Sequence, residues 1–509
     1  MEISRSEYQA ALEHIVQIAL DRNDNVQDLP VVQQNPNYLE EEALLISNRL
    51  PELGQPLEKT ISQVFETVLN GAPSMNGPRY FGWIMGGTTP ASIVGDFLTT
   101  IYDLNMAFHQ PKDTNAFTIE QLTLDMVLDL GHIPREAYPV KLLTTGATAS
   151  NLAGMLLGRQ WVAKKRFNIN ISEDGFCGKT IKLIGGSAHS SIIKAVGVAG
   201  IGRSNYIDVS LNERGSKWDL EKLEKILKEQ KDGDSEASIV TVGYGEVHTV
   251  LFLRLPPVIT LLIYQVIQVN TGGFTNDVDK IRALCTKYDA WLHIDATYGL
   301  YARAIPSHAQ YVAHIELADS MASDAHKWLN VPYDCGLFYT KHMDMSLEIF
   351  AAAKASYLKI GRTITPQPMD IGIENSRRFR ALPLYMSLLT YGAKGYKELF
   401  ESNCKFAASL GEWIDLHPDF ELLSPVYLHT FLFRVSAEQW THPGGNEEFV
   451  NAVKKTEKAH VSSTMWNGQP AIRGSVNNWR TREDRDLSIV QQALEEAIRS
   501  RMPLKNNFN

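Results

Sequence analysis

Short apolar runs alternate with amphipathic helical patterns from about residue 138 onward, and this alternation most constrains the fold. Apolar runs of strand length separated by helices are typical of a parallel α/β sheet. The predicted strands are residues 141–145, 181–184, 205–209, 238–242, 291–294 and 337–340, and the predicted helices are residues 151–165, 190–198, 220–229 and 277–288. The sequence therefore predicts an α/β sheet domain.

The chain has 509 residues, which is too long for one compact core, so we expect two or three domains. Residues 1–78 are predicted to be a mainly helical and polar N-terminal segment. Residues 79–390 hold the predicted sheet, and residues 391–509 read as a smaller α+β domain.

Charge and cysteine content exclude several classes of function. The net charge of −9 argues against a nucleic-acid partner, which calls for a basic face. The four cysteines are far apart and lack CxxC spacing, so we expect reduced thiols in a cytoplasmic protein. The first twenty residues mix charges into a helical pattern, without the features of a signal or transit peptide.

Residues 248–269 are strongly apolar and roughly long enough to raise the question of a membrane span. Arg254 and the pair Pro256 and Pro257 lie inside the segment. Because a charge and two prolines interrupt a spanning helix, we predict no membrane segment here.

Lys327 and a small-residue turn are the first candidate site features. Lys327 follows His326 at the end of a short run of small residues and precedes Trp328. A desolvated lysine amine can lose its proton and act as a nucleophile. Residues 144–151 form a small-residue turn that opens a helix, and backbone N–H groups at such a helix start favour a phosphate.

Asp295 and His189 stand at the ends of two other predicted strands. An acid at the carboxyl end of a buried parallel strand faces the crevice where α/β proteins bind ligands. Because a buried carboxylate without a partner is costly, Asp295 calls for a cationic partner. His189 lies where a strand gives way to a helix, so a helix cap or a core position is its structural alternative.

Taken in order, these motifs resemble the group II pyridoxal-phosphate (PLP) decarboxylases, the family of the aromatic amino acid and glutamate decarboxylases. The resemblance covers nearly the whole chain from about residue 40 onward. It implies the type I fold of PLP enzymes (aspartate-aminotransferase-like), which is α/β, with a large, mainly parallel seven-stranded sheet and a small C-terminal α+β domain. It also implies a homodimer with the active site at the subunit interface.

The resemblance assigns roles residue by residue. Lys327 is expected to hold the cofactor as a Schiff base, Asp295 to pair with the pyridine nitrogen, and His189 to stack on the ring. His326 is expected to position the lysine and relay protons, and Tyr357, in a segment matching the mobile catalytic loop, to protonate the product after CO2 leaves. The remaining implied cofactor contacts are Gly146, Ala147, Thr148, Asp324 and Thr297, and the implied substrate contacts are Tyr80, Phe81 and Trp83.

The chain departs from the family pattern in three places. Thr297 replaces a small alanine and is expected to crowd the cofactor, and Glu246 replaces a threonine near it. Residues 248–269 interrupt a junction that otherwise reads like the family's turn. We hypothesise that this segment is a translated intron, since its length suits a short fungal-type intron and so apolar a surface loop invites aggregation. A genuine insertion is the alternative.

The predicted reaction is the decarboxylation of an L-amino acid to its amine and CO2. An aromatic substrate fits the aromatic surface of Tyr80, Phe81 and Trp83. An acidic substrate, glutamate or cysteine sulfinate, is the alternative, for which Arg79 or the arginines of residues 377–380 offer positive charge. Further alternatives are an aldehyde synthase, a carbon–carbon lyase, and a homologue that binds PLP without turnover.

Overall fold

The structure is a computed structural model. It describes residues 3–32, 41–42, 45–46, 49–69, 71–110, 112–186, 188–211, 217–243, 277–297, 299–351, 366–442, 444–466 and 468–501. The helices are α1 (Arg5–Asn25), α2 (Leu57–Val64), α3 (Pro90–Tyr102), α4 (Ala116–Leu130), α5 (Ala147–Phe167), α6 (Ile171–Asp174), α7 (Ser190–Val198), α8 (Leu220–Asp232), α9 (Val278–Lys287), α10 (Met343–Phe350), α11 (Ala381–Leu416), α12 (Gly445–Lys455) and α13 (Glu483–Arg499).

A large mixed sheet forms the centre of the fold. Its strands are β1 (Val140–Thr144), β2 (Thr180–Gly185), β3 (Tyr206–Asp208), β4 (Glu236–Gly243), β5 (Trp291–Asp295), β6 (Ser320–Asp324) and β7 (Gly336–Thr340). The spatial order is β1-β7-β6-β5-β4-β2-β3. Strands β2 to β6 run parallel to one another, and β7 runs antiparallel to both of its neighbours. The prediction of a mainly parallel, seven-stranded α/β sheet is confirmed.

A small antiparallel sheet follows toward the C-terminus. Its strands are β8 (Phe420–Leu422), β9 (Thr430–Val435), β10 (Ser462–Trp466) and β11 (Gln469–Ser475), in the order β10-β11-β9-β8. Residues 79–81, which the sequence analysis places in the large domain, lie against this sheet: the Phe81 amide donates to the His460 carbonyl at 2.9 Å. The boundary predicted at residue 391 falls beside Gly392, whose φ of 61° interrupts the helical geometry of α11.

Helix α5 lies directly on the large sheet because its inner face carries glycines. An ideal Cβ on Gly154 would lie 2.5 Å from the His293 ring, and one on Gly158 would lie 3.0 Å from Trp291. Both partners belong to β5. This close approach brings the first turns of α5 against the carboxyl end of β5, where the parallel strands form the ligand crevice of such sheets.

No helix within the described ranges is long and apolar enough to cross a membrane. The apolar segment 248–269 lies outside the described residues, as do Glu246 and Tyr357.

Candidate active site

Asp295 is buried at the carboxyl end of β5, in a network that centres on Asn151. The Asn151 amide nitrogen donates to Asp295 Oδ2 at 2.9 Å and to Ser191 Oγ at 3.0 Å. The Asn151 amide oxygen lies 2.9 Å from His293 Nε2, and because that oxygen only accepts, Nε2 carries the proton. Burial lowers the pKa of His293 to about 3, so this histidine is neutral at neutral pH. The Asp295 carboxylate is therefore held by hydrogen bonds that connect it, through Asn151, to Ser191 and His293.

His189 joins the same network from the start of α7. It is the N-cap of that helix, and its Nδ1 accepts from the Ser191 amide at 3.0 Å. The same ring nitrogen contacts the Ser191 hydroxyl, which also receives the Asn151 amide proton. His189 therefore caps the helix, as the structural alternative expects. It also lines the same pocket as Asp295. That pocket is lined by Gly186, Ala188, His189, Ile192, Thr241, Gly243 and Asp295.

Lys327 lies just past the end of β6, the strand beside β5. Its Nζ lies 3.7 Å from Asp324 Oδ2, and its side chain is largely buried. His326 Nε2 lies 3.4 Å from the same carboxylate oxygen, and His326 Nδ1 accepts from the Cys335 amide at 3.3 Å. The Asp324 carboxylate therefore contacts both the lysine amine and the histidine ring at the carboxyl end of β6.

The start of α5 is engaged by Asp324. The backbone N–H of Ala147, which the resemblance assigns to a phosphate, donates to Asp324 Oδ1 at 2.6 Å. Thr148, the next residue, is exposed. Gly146 packs against β7 so tightly that an ideal Cβ on Gly336 would lie 2.4 Å from its Cα. The close approach therefore requires glycine at residue 336, and it places the helix start beside Asp324.

The side chain of Thr297 points toward Asp295. It is buried, and its hydroxyl donates to Asp295 Oδ1, while its backbone amide donates to the same oxygen at 3.2 Å. The expectation that Thr297 crowds the cofactor misses this hydrogen bond, because local sequence does not give the direction of a side chain.

The three predicted substrate residues occupy different environments. Tyr80 is buried, and its ring lies 4.5 Å from the ring of His460. Trp83 is 71% exposed and has a φ of 58°. Phe81 is buried in the core of the small domain, with its ring 5.7 Å from Phe406, so we assign it a packing role instead of a substrate contact.

Two of the arginines considered for an acidic substrate are buried in ion pairs. Arg79 donates from Nη1 to Asp486 Oδ1 at 2.8 Å and uses its other nitrogens on backbone carbonyls. Arg377 forms a two-fold pair with Glu120, with both distances at 2.6 Å. Such paired guanidinium groups have little remaining capacity to bind a further carboxylate.

The other two arginines of this stretch are paired as well. Arg380 donates to Asp334 at 3.0 Å and to Glu374 at 2.9 Å. Arg378 lies 2.9 Å from Asp96. The cationic pocket that the sequence offers for an acidic substrate is therefore already neutralised within the chain.

The fold and the site together define a PLP-dependent enzyme of the type I fold. The sequence matches the family described as "Pyridoxal-dependent decarboxylase conserved domain" over residues 36–247 and 264–436. The chain therefore belongs to the pyridoxal-dependent decarboxylase family, and its cofactor is pyridoxal phosphate. The match is interrupted between residues 247 and 264, within the apolar segment 248–269.

Curated relatives align along nearly the full chain. The phenylacetaldehyde synthase of Arabidopsis thaliana is 24% identical over 493 residues, which cover 95% of this chain and 94% of the relative. Tyrosine decarboxylase 2 of the same plant is 24% identical over 503 residues, covering 95% and 84%. The structure of Oryza sativa TDC with PLP and tryptamine superposes with a TM-score of 0.82 at 18% identity, covering 99% of this chain and 100% of that one.

The residues present fit pyridoxal phosphate. Asp295 offers a buried carboxylate that suits a cationic ring nitrogen, and His189 shares its pocket wall. Lys327 offers a largely buried amine at the end of the neighbouring strand. The glycine-lined start of α5 suits a phosphate by its helix dipole, although the Ala147 amide already serves Asp324.

The sequence analysis missed Asn151, Ser191 and His293 as members of the site. Asn151 ends the small-residue turn of residues 144–151, and Ser191 follows His189 by two residues, yet nothing in their spacing shows that they touch one another. His293 precedes Asp295 by two residues on the same strand and therefore shares its face, which is the one signal that points to it.

Proposed function

We propose that this protein decarboxylates an aromatic L-amino acid to its amine and CO2. Relatives named as tyrosine decarboxylase and tryptophan decarboxylase support the reaction class. An aromatic contact beside the lysine supports the substrate class, because the Tyr333 ring lies 4.3 Å from the ring of His326, the residue before Lys327.

One observation carries the choice of an aromatic over an acidic substrate. Arg79, Arg377, Arg378 and Arg380 all have carboxylate partners within the chain. Freeing a buried arginine for a substrate would leave its own carboxylate uncompensated, at a cost of about 3–5 kcal/mol. A flat aromatic side chain needs no such exchange.

The proposed chemistry divides between the cofactor and the protein. Pyridoxal phosphate, when bound, supplies a sink for the electrons that remain when CO2 leaves. Lys327 holds the cofactor, Asp324 positions the lysine amine, and His326 contacts the same Asp324 carboxylate. Asp295 keeps a negative charge at the carboxyl end of β5, and His189 and Asn151 fix its surroundings. We keep Gly146, Ala147 and Thr148 as the proposed phosphate contacts.

Tyr357 remains the proposed proton donor. The resemblance associates a tyrosine in this loop with simple decarboxylation and a phenylalanine with oxidative aldehyde formation. Because one relative is named phenylacetaldehyde synthase, aldehyde formation is the second candidate function. The two reactions differ in oxygen consumption and ammonia release.

A homodimer is the proposed assembly, and an apolar face on α3 supports it. The exposed apolar side chains of this helix are Ile93, Val94, Phe97, Ile101 and Tyr102. In addition, α1 has twenty-one residues and buries none of them within the single chain. Exposed apolar side chains grouped on one helix, as on α3, are typical of a subunit interface. We also propose a cytoplasmic location, in line with four free cysteines.

A substrate panel tests the proposal. Purified holoenzyme is incubated with tyrosine, tryptophan, dopa, glutamate and cysteine sulfinate, while amine, CO2, oxygen and ammonia are measured. Amine and CO2 from an aromatic substrate, without oxygen uptake, support the proposal. Turnover confined to glutamate or cysteine sulfinate contradicts the substrate class, and oxygen uptake with ammonia identifies an aldehyde synthase.

The intron hypothesis for residues 248–269 stays a proposal, supported by the break in the family match. Sequencing the mature transcript across the codons for residues 245–274 tests it. Absence of the 248–269 codons supports an intron, whereas peptides from this segment in the native protein would contradict it.

A further inference from the structure

The hydroxyl of Thr297 is directed at Asp295, the carboxylate that would pair with the cofactor's ring nitrogen. It donates to Asp295 Oδ1, and both residues are almost fully buried. The other carboxylate oxygen, Oδ2, accepts from Asn151 at 2.9 Å. Both oxygens of Asp295 are therefore held by neutral donors inside the protein.

The backbone around Thr297 is fixed independently of its side chain. Its carbonyl oxygen accepts from the Asp324 amide at 3.0 Å and from the Ser323 hydroxyl at 3.3 Å. These bonds connect the residue to the end of β6. A change of side chain at residue 297 therefore alters the donor to Asp295 while the neighbouring backbone bonds remain.

Hydrogen bonds donated to a carboxylate favour its ionised form, whereas burial favours its protonated form. A buried carboxyl and a pyridine nitrogen that share one proton can place it on either partner. Each neutral donor to the carboxylate lowers its proton affinity and moves the proton toward the nitrogen. The Thr297 hydroxyl is such a donor, and alanine at this position would lack it.

We propose that Thr297 is a positioning residue that lowers the proton affinity of Asp295, so that the shared proton resides on the pyridine nitrogen of the cofactor. The residue acts through Asp295 and strengthens the cofactor as an electron sink. The inference rests on the cofactor of the family, and it holds or fails independently of which amino acid is the substrate.

Three substitutions separate the hydroxyl of Thr297 from its size. Thr297→Ser keeps the hydroxyl in a smaller side chain, Thr297→Val keeps the shape without the hydroxyl, and Thr297→Ala removes both. Each holoenzyme is loaded with PLP that carries ¹⁵N in its ring, and the nitrogen resonance is measured by solid-state NMR. Cofactor dissociation constants are measured in parallel.

If the Thr297 hydroxyl sets the position of the proton, the natural enzyme and Thr297→Ser give the same ring-nitrogen resonance. Both then show a protonated ring nitrogen, while Thr297→Val and Thr297→Ala shift toward the unprotonated position. Grouping of the natural enzyme with Thr297→Val indicates that side-chain volume is decisive and overturns the proposal. Equal resonances in all four proteins overturn it as well. If Thr297→Val fails to fold, the comparison of Thr297→Ser with Thr297→Ala gives the same decision.

Discussion

Replacing Asn151 with alanine is expected to destabilise the protein and to weaken its hold on the cofactor. The Asn151 side chain makes three hydrogen bonds within the network, to Asp295, Ser191 and His293. Its removal leaves the buried His293 N–H without that acceptor and one oxygen of Asp295 without that donor. An unsatisfied buried group costs about 1–3 kcal/mol, so two of them predict a loss of about 2–6 kcal/mol.

The matched control is Asn151→Asp, which keeps the shape of the side chain. It places a second carboxyl group where the amide nitrogen now lies 2.9 Å from Asp295 Oδ2. Two carboxylates at this separation cannot both remain ionised, so one pKa rises strongly. Because the folded state of this variant holds a proton that the unfolded state releases, we expect its stability to fall as the pH rises from 5 to 8, whereas Asn151→Ala should be destabilised at every pH.

The assay combines urea unfolding of the cofactor-free protein with titration by pyridoxal phosphate. The unfolding midpoint reports the buried network, and the dissociation constant reports the charge at Asp295. An unfolding free energy of Asn151→Ala within about 0.5 kcal/mol of the natural protein, together with an unchanged dissociation constant, would refute the network as described.

Three further perturbations give distinct outcomes. Lys327→Ala should abolish amine formation and the absorption of the lysine-bound cofactor together, and retained turnover would contradict the assignment. Phe97→Glu on α3 should convert a dimer to a monomer in light scattering, whereas Asp96→Glu on the same helix should not; an unchanged mass for Phe97→Glu argues against this face as the interface. Burial lowers the pKa of His293 to about 3 and that of His460 to about 4. Because both histidines bind protons more weakly in the folded than in the unfolded state, stability should fall as the pH drops from about 6.5 toward 4, by up to about 1.4 kcal/mol per pH unit for each histidine. A flat unfolding midpoint over this range would contradict the neutral state of both.

Much of the site was accessible from local sequence because each motif occupies one strand end. Asp295 ends one strand of the large sheet, His189 and Lys327 follow two others, and parallel strands bring their carboxyl ends to one edge. Strand β6 was not predicted, since its sequence of Ser320–Asp324 is short and largely polar despite full burial. Residues 320–324 form a strand because they pair with β5 on one side and with β7 on the other, and this pairing is not visible in their own side chains.

The sequence by itself determined the α/β class, the order of the motifs, and through them the family and its cofactor. These properties depend on apolar periodicity and on short runs of residues, both of which are local. Only the tertiary structure decided that Thr297 donates to Asp295, that Asn151 connects Asp295 to His293, and that Phe81 packs in the small domain. It also decided that Arg377 pairs with Glu120, a partner more than two hundred and fifty residues away. Such contacts depend on the distance and direction of side chains from separate elements, which the spacing of residues along a chain does not contain.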